Sequence, residues 1–368
     1  MCAWKLDVYR SWDEVNDPSF IETWNSWLGS APDGHVFYHP VILRTWTDKY
    51  WDLNGDISPL YCVARHGETT FFLPLVLWRR NWKNAFIRMI VPAGFSDFDY
   101  HDPIVAGNGG PDLMDSFWSM IESRIMAGDL GPFDEVCFTG IRFPGRQASW
   151  LSEDEACPFV DLTPYRNYEE FYLSRKKNLR SQVEKRRRQL SEKGSLTYHR
   201  YGAGEIDAAV AALPAFLESH SQRWPLAYKA PGLHADIVRN GIPAGLVHFS
   251  ELRLDGKAVA WHLGYMDNGR FYYYMPAYLS EYHNFSPGKV LLASLMQDSI
   301  ECGGRVFDFL RGVYRYKEEW ADGTLGLYTY QNRSGKVQSR VRQQAHQMLE
   351  QLKSRRSAVH GGEETTAS

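Results

Sequence analysis

Apolar and polar positions change period several times along the chain, and those changes mark out its elements. Residues 60–65 and 69–78 carry strand patterns on either side of His66-Gly67-Glu68, which predicts a hairpin. The same order returns later: residues 249–254, the turn Asp255-Gly256-Lys257 and residues 258–265 predict strand, turn and strand. Asp-Gly supplies the positive φ that a two-residue turn needs. Each hairpin is followed by a further aromatic or apolar strand, a helical stretch (111–126; 287–302) and a short apolar strand (135–139; 306–310). The echo is one of element order rather than of residue identity. It predicts a mixed α/β fold in two similar halves, joined within 140–164, where Pro144, Gly145, the acidic run 152–155 and Pro158 interrupt both periods. Domains at 1–160 and 161–357 are therefore expected, with a small, polar, disordered tail over 358–368.

Two further helices follow from spacing. Residues 174–188 hold eight Lys or Arg, while Leu179, Val183 and Leu190 fall on one narrow stripe, so the expectation is a helix with one docked edge and a cationic face. That face is either simply solvated or in contact with phosphates. Over 336–352, Val337, Val341, Ala345 and Leu349 recur at i, i+4, i+8 and i+12, which predicts a final amphipathic helix.

A chain of 368 residues exceeds one ordinary core, consistent with two domains. Its 41 basic residues against 44 acidic ones leave no global field to attract DNA or an anionic membrane, so no DNA partner is expected. Five cysteines (Cys2, Cys62, Cys137, Cys157, Cys302) form no CxxC pair and argue against both a disulfide framework and a zinc site. The first eleven residues lack an apolar signal core, and no run of eighteen apolar residues occurs; a cytoplasmic protein without a membrane span is expected. GxSxG, HExxH, P-loop and GxGxxG patterns are missing, which removes the commonest hydrolase, protease and nucleotide-fold readings.

Candidate chemistry concentrates in the second half. Ser286-Pro287-Gly288 precedes a helical stretch, with Ser suited to the N-cap and Pro to the first helical position. The feature is either a well-capped helix or, through its free N–H groups, a phosphate site including Lys289. Asp308 lies on a largely apolar strand, sharing a face with Val306 and Leu310. It is either neutralised by Arg305 or Arg311, or poised as a base. Tyr316 and Lys317 follow closely. His262 is either a packed histidine or a base near neutrality, and Trp261 with Tyr272-Tyr273-Tyr274 reads most simply as core. In the first half, Asp97, Asp99, His101 and Asp102 crowd one segment; without a second ligand group at suitable spacing, it reads as a cleft-lining loop rather than a metal site.

The ordered set of the basic helix, Asp255–Ala260, Ser286-Pro287-Gly288, Phe307-Asp308-Phe309-Leu310-Arg311-Gly312 and Tyr316-Lys317 with Trp320 resembles the CelD/BcsL-type acetyltransferases. These belong to the GNAT superfamily and are related to the FemABX peptidyltransferases. The resemblance implies two tandem GNAT-like domains in a FemABX-like arrangement. It also implies acetyl-CoA or another acyl-CoA as co-substrate, no metal, and a primary amine acceptor on an amino sugar or polysaccharide precursor. It casts Asp308 or His262 as base or amine-orienting group, Tyr316 as proton donor to the thiolate, Lys317 and Arg311 as counter-charges, and Ser286, Pro287, Gly288 and Lys289 as the donor's phosphate site. The usual pyrophosphate loop of that superfamily is replaced here by Ser286-Pro287-Gly288. A FemABX-like transferase using aminoacyl-tRNA, with the basic helix on tRNA phosphates, is the alternative enzyme; a non-catalytic binding module of the same fold is the other.

Overall fold

The computed structural model describes residues 3–54, 56–82, 85–95, 97–146, 150–153, 155–225 and 230–361. In chain order the strands are β1 (Lys5–Tyr9), β2 (Ile57–His66), β3 (Thr69–Trp82), β4 (Ala85–Pro92), β5 (Ile104–Ala106), β6 (Glu135–Ile141), β7 (Trp150–Ser152), β8 (Cys157–Asp161), β9 (Leu196–Arg200), β10 (Val247–Leu254), β11 (Lys257–Asp267), β12 (Arg270–Tyr278), β13 (Val306–Asp308), β14 (Gly323–Leu325) and β15 (Tyr328–Arg333). The helices are α1 (Trp12–Val15), α2 (Pro18–Ser30), α3 (Pro40–Asn54), α4 (Pro111–Ala127), α5 (Tyr168–Ser174), α6 (Lys177–Ser191), α7 (Ile206–Ser221), α8 (Leu233–Gly241), α9 (Pro287–Glu301), α10 (Arg315–Glu318) and α11 (Val337–Gly361).

The strands make two mixed sheets. One runs β1-β2-β3-β4-β6-β15-β7 with β5 against β3, and the other runs β14-β8-β13-β12-β11-β10-β9. Both expected hairpins are present. Asp255 and Gly256 adopt φ of 49° and 80° between β10 and β11, as the two-residue turn requires. In each sheet a helix then carries the chain to a parallel neighbour: α4 from the β4 side to β6, and α9 from β12 to β13. The two halves therefore repeat one topology. β15 and α11 return to the first sheet, whereas β8 already belongs to the second, so the sheets are not contiguous in sequence.

Alternation along the strands divides their side chains between cores. Tyr61, Val63, Phe72 and Val76 join one cluster, while Leu60, Cys62, Ala64, Phe71, Leu73 and Leu75 face another beneath α4. The first of these clusters also holds Phe249, Leu263, Tyr265 and Tyr272 from the second sheet, so one apolar mass joins the halves. Phe37 sits at its centre, stacked on Phe98 and edge-on to Tyr100, Tyr265 and Tyr272. Burying such a ring contributes roughly 1.5–3 kcal/mol. A third cluster fills the space between the second sheet and α5, α6 and α9. Among the described cysteines, Cys62, Cys137, Cys157 and Cys302 are free thiols; Cys2 lies outside the described residues.

Several expectations need correction. Strand β13 stops at Asp308 because Leu310 takes φ of 56°, which no strand accommodates. Helix α11 docks through polar groups, not through its Val stripe. Arg342 and Gln343 bind the carboxylate and carbonyl of buried Asp134, Ser339 binds the Phe133 carbonyl, and Val337 and Val341 are 75% and 60% exposed. Asp134 wins because a buried carboxylate without donors costs far more than two solvated valines. The helix also continues to Gly361, through the first residues of the expected tail; 362–368 lie outside the described residues.

Candidate active site

Strands β12 and β13 run side by side only at Arg270–Tyr272 opposite Val306–Asp308. Beyond that point β12 continues to Tyr278, while the segment after β13 turns away at Phe309–Gly312. The edge of β12 thus loses its strand neighbour, and its peptide groups on that side face a trough.

Two adjoining cavities, of about 300 Å³ and about 220 Å³, make up the trough, sharing Arg223, Tyr273, Pro276 and Tyr316 in their walls. The smaller one is walled by Tyr278, Leu291, Leu292 and Trp320 and ends at Ser286, Gly288 and Lys289 of the α9 start. Ser286 does not cap that helix. Its backbone is left-handed at φ of 49° and its hydroxyl makes no cap bond; with the Ser286 N–H on the His283 carbonyl and the Lys289 N–H on the Ser286 carbonyl, each at 3.0 Å, Gly288 carries the open N–H of the α9 start. Pro287 is buried at the first helical position. A Cβ placed on Gly288 would meet the Tyr278 ring only at 3.6 Å, so glycine here keeps the cavity end open and is not sterically required. Lys289 donates to Gln182 of α6 at 2.7 Å and to Glu319 at 3.1 Å, and Arg186 donates to the Asn284 carbonyl at 2.8 Å. The cationic helix consequently borders this mouth.

The larger cavity lies between the halves. Asp99 and Glu155 enter from the first, and His220, Arg223, His234, Arg311, Tyr314 and Lys317 from the second. Burial pushes the Asp99 carboxyl up to about 6, against the opposing pull of Arg311 and Lys317. Arg311 lies 3.6 Å from Asp99 and 2.6 Å from Glu153. Lys317 is buried, and burial lowers its pKa. Its ammonium donates to the carbonyls of Phe309 and Arg311 at 2.8 Å and of Leu310 at 3.4 Å. It therefore braces the turn that carries Arg311. Burial holds His220 and His234 at about 4, neutral at pH 7. Tyr316 borders both cavities and packs near Tyr273, with its hydroxyl pushed up to about 12 by burial.

Of the residues singled out from sequence, Tyr316, Lys317, Arg311, Ser286, Gly288 and Lys289 gather on the trough. Asp308 and His262 line neither cavity. Asp308 is fully buried and accepts from the Tyr100 hydroxyl, Arg270 and the Leu310 N–H, each at 2.9 Å, leaving no room for an amine. His262 is stacked at 4.8 Å on Tyr273 and at 5.5 Å on Phe271, with neither ring nitrogen bonded to protein and its pKa pushed well below 6.5 by burial. His262→Phe is accordingly expected to leave turnover unchanged and thermal stability equal or higher, as measured by steady-state rates and a melting curve. A turnover loss beyond tenfold would restore the base assignment.

Asp99 was visible in sequence only as one acid of a crowded loop. Its neighbours there are structural: Asp97 accepts from Trp46 and Tyr50, and Asp102 from the backbone and guanidinium of Arg142. Arg223 and His220, at the end of α7, carried no sequence signal, since no spacing marks a helix terminus as facing a cavity. A further opening of about 500 Å³ lies beside the α4 start, but its cations Arg142 and Arg146 are already paired with Asp102 and with Asp112 and Asp115.

Residues 177–318 match the family described as Acetyltransferase (GNAT) domain. The chain carries a GNAT-type acetyltransferase domain. The match contains α6, the β10–β12 sheet core, α9 and most of the trough, and together with the fold it supports an N-acyltransferase. No curated protein matches the chain. Among solved structures it is similar to FemX, with a TM-score of 0.55 and 10% identity over 84% of this chain and 95% of that one. That likeness agrees with a two-domain GNAT arrangement. It is also similar to the C-terminal domain (DUF2156) of a putative lysylphosphatidylglycerol synthetase from Agrobacterium fabrum (TM-score 0.49, 14% identity, 84% of this chain and 90% of that one). A tandem GNAT protein from the clavulanic acid biosynthesis pathway is a third (TM-score 0.45, 10% identity, 89% and 98%).

Among the described residues no group of His, Cys, Asp and Glu is placed to hold a metal ion, and no helix is long and apolar enough to cross a membrane.

Proposed function

We propose that the protein transfers an acyl group, acetyl in the simplest case, from acyl-CoA to a primary amine, in the manner of the CelD/BcsL-type enzymes. An amino sugar or polysaccharide precursor is the acceptor class. The observation that carries this is the free edge of β12, bordered by an apolar cavity with an uncapped helix start at one end and by a charged cavity at the other.

Ser286, Gly288 and Lys289 would hold the donor's phosphates, where the open Gly288 N–H at the helix start favours an anion. The apolar wall of Tyr278, Leu291 and Leu292 suits an extended thioester arm. Bound acyl-CoA supplies an activated carbonyl and a thiolate leaving group. Asp99 accepts the amine's proton in the charged cavity; with its carboxyl at about 6 it is mostly ionised at pH 7 yet basic enough for the transfer. Peptide N–H groups on the free side of β12 face the developing oxyanion. Tyr316, protonated at neutral pH and bordering both cavities, gives its proton to the departing thiolate. Arg311 keeps Asp99 oriented, and Lys317 fixes the turn beneath it.

One observation favours the aminoacyl-tRNA alternative: the cationic face of α6 borders the donor mouth. Calorimetric titration decides between donors. Acetyl-CoA is expected to bind with a micromolar Kd, and Gly288→Trp, which fills the cavity end while leaving the helix start intact, is expected to weaken it by at least about tenfold. Binding of an aminoacyl-tRNA that acetyl-CoA fails to displace would overturn the acyl-CoA reading.

A further inference from the structure

The charged cavity has an internal balance that constrains its occupant. Lys317 is spent on three backbone carbonyls, and Arg311 on Asp99 and Glu153. His220 and His234 are neutral at pH 7. One cation of the wall remains without an acidic partner among the described residues: Arg223, in the turn after α7. It is nonetheless held in place, because its guanidinium lies 5.6 Å from the Trp224 ring and 6.0 Å from the Tyr314 ring. The acids of the same cavity already face other cations: Asp99 lies in the field of Arg311 and Lys317, and Glu155 in that of Lys317. Arg223 is therefore the charge of this wall, among the described residues, that no opposite charge answers, and it borders a space of about 300 Å³. A plain amine would satisfy the acids and leave Arg223 unanswered.

We propose that the acceptor is zwitterionic: an amine that also bears a carboxylate or phosphate, the amine directed to Asp99 and the anion seated on Arg223. This rests on the acyl-transfer reading and names its substrate class. The two sources of the anion share one chemistry, since guanidinium binds either group through paired N–H donors. The cavity's volume suits a single sugar or amino-acid unit, with any longer chain extending from the open side. Tyr314 and Trp224 hold the guanidinium without neutralising it, which keeps it available to the ligand.

The test uses the full chain with acetyl-CoA and acceptor pairs that differ only in the anion: glucosamine against glucosamine 6-phosphate, and cadaverine against lysine. CoA release is followed at saturating acetyl-CoA. The member that bears the anionic group is expected, in at least one pair, to show kcat/KM about tenfold or more above the member that lacks it, the size of one charge-assisted hydrogen bond. In Arg223→Gln that preference is expected to collapse toward unity, with KM for acetyl-CoA unchanged. Equal use of both members in every pair would overturn the proposal. So would an Arg223→Gln variant that raises KM for acetyl-CoA and keeps the preference, which would make Arg223 a donor contact. No CoA release with any amine, in a protein that titration shows to bind acetyl-CoA, would overturn the acyl-transfer reading and this proposal with it.

Discussion

Asp99→Asn is expected to lower kcat by roughly 10²- to 10⁴-fold, the usual contribution of a positioned general base, while leaving the affinity for acetyl-CoA unchanged. The carboxylate faces the acceptor cavity, and the donor's helix start belongs to the other one. The pH dependence makes the assignment specific. Asp99 must be ionised to take a proton, so kcat/KM of the wild type should rise through about pH 6 as the carboxyl titrates. In the Asn variant that limb should vanish, and the residual rate should follow the free-amine fraction of the acceptor. Stability gives a control. Burial raises the folded-state pKa above the ordinary 3.8, so ionised Asp99 costs the native state stability at pH 7, and the neutral amide removes that cost. Arg311 retains Glu153 at 2.6 Å. The variant should therefore melt at or above the wild-type temperature at pH 7. A large rate loss in an equally stable protein is the signature of a chemical role; full turnover would remove Asp99 from the mechanism.

The difference between what the chain's pattern discloses and what it conceals follows from the range of the forces involved. The hairpin over β10 and β11 is legible because Asp255-Gly256 is a local solution to a local problem, and α9 because Pro287 and the apolar positions after it act within a few turns. The trough residues Tyr316 and Gly288 could be nominated for the same reason: each stands at a break in period. Asp99, Glu155 and Arg223 lie far apart in sequence and meet only after the halves close on the core around Phe37. No periodicity in either half encodes that meeting. Asp308 illustrates the converse. A carboxylate on an apolar strand is a sound alarm for function, yet the partners that satisfy it are local (Leu310), one sheet neighbour away (Arg270) and in the other half (Tyr100), and only the last two distinguish a hinge from a base.

Asp308 carries the second large effect, and its direction separates positioning from proton transfer. Its carboxylate holds the N–H of Leu310, which lies at φ of 56°, a conformation disfavoured for a branched residue. From the other side Lys317 holds the carbonyls of residues 309, 310 and 311. The two side chains clamp the turn that presents Arg311 to Asp99, and Tyr100 ties the clamp to the loop bearing Asp99 itself. In Asp308→Asn the amide preserves one acceptor but sets N–H groups against either Arg270 or the Leu310 N–H. With the site fully buried, the expected loss is about 3 kcal/mol, the lower end for breaking a buried charge pair because Arg270 is itself a quarter exposed. Urea unfolding should show a lower midpoint with an unchanged slope. Turnover should fall as well, since the turn relaxes, but the rise of kcat/KM through about pH 6 should persist because Asp99 still titrates. Loss of that limb in Asp308→Asn with stability intact would instead make Asp308 the base; loss of stability with the limb retained makes it the pivot on which the two halves of the site are held.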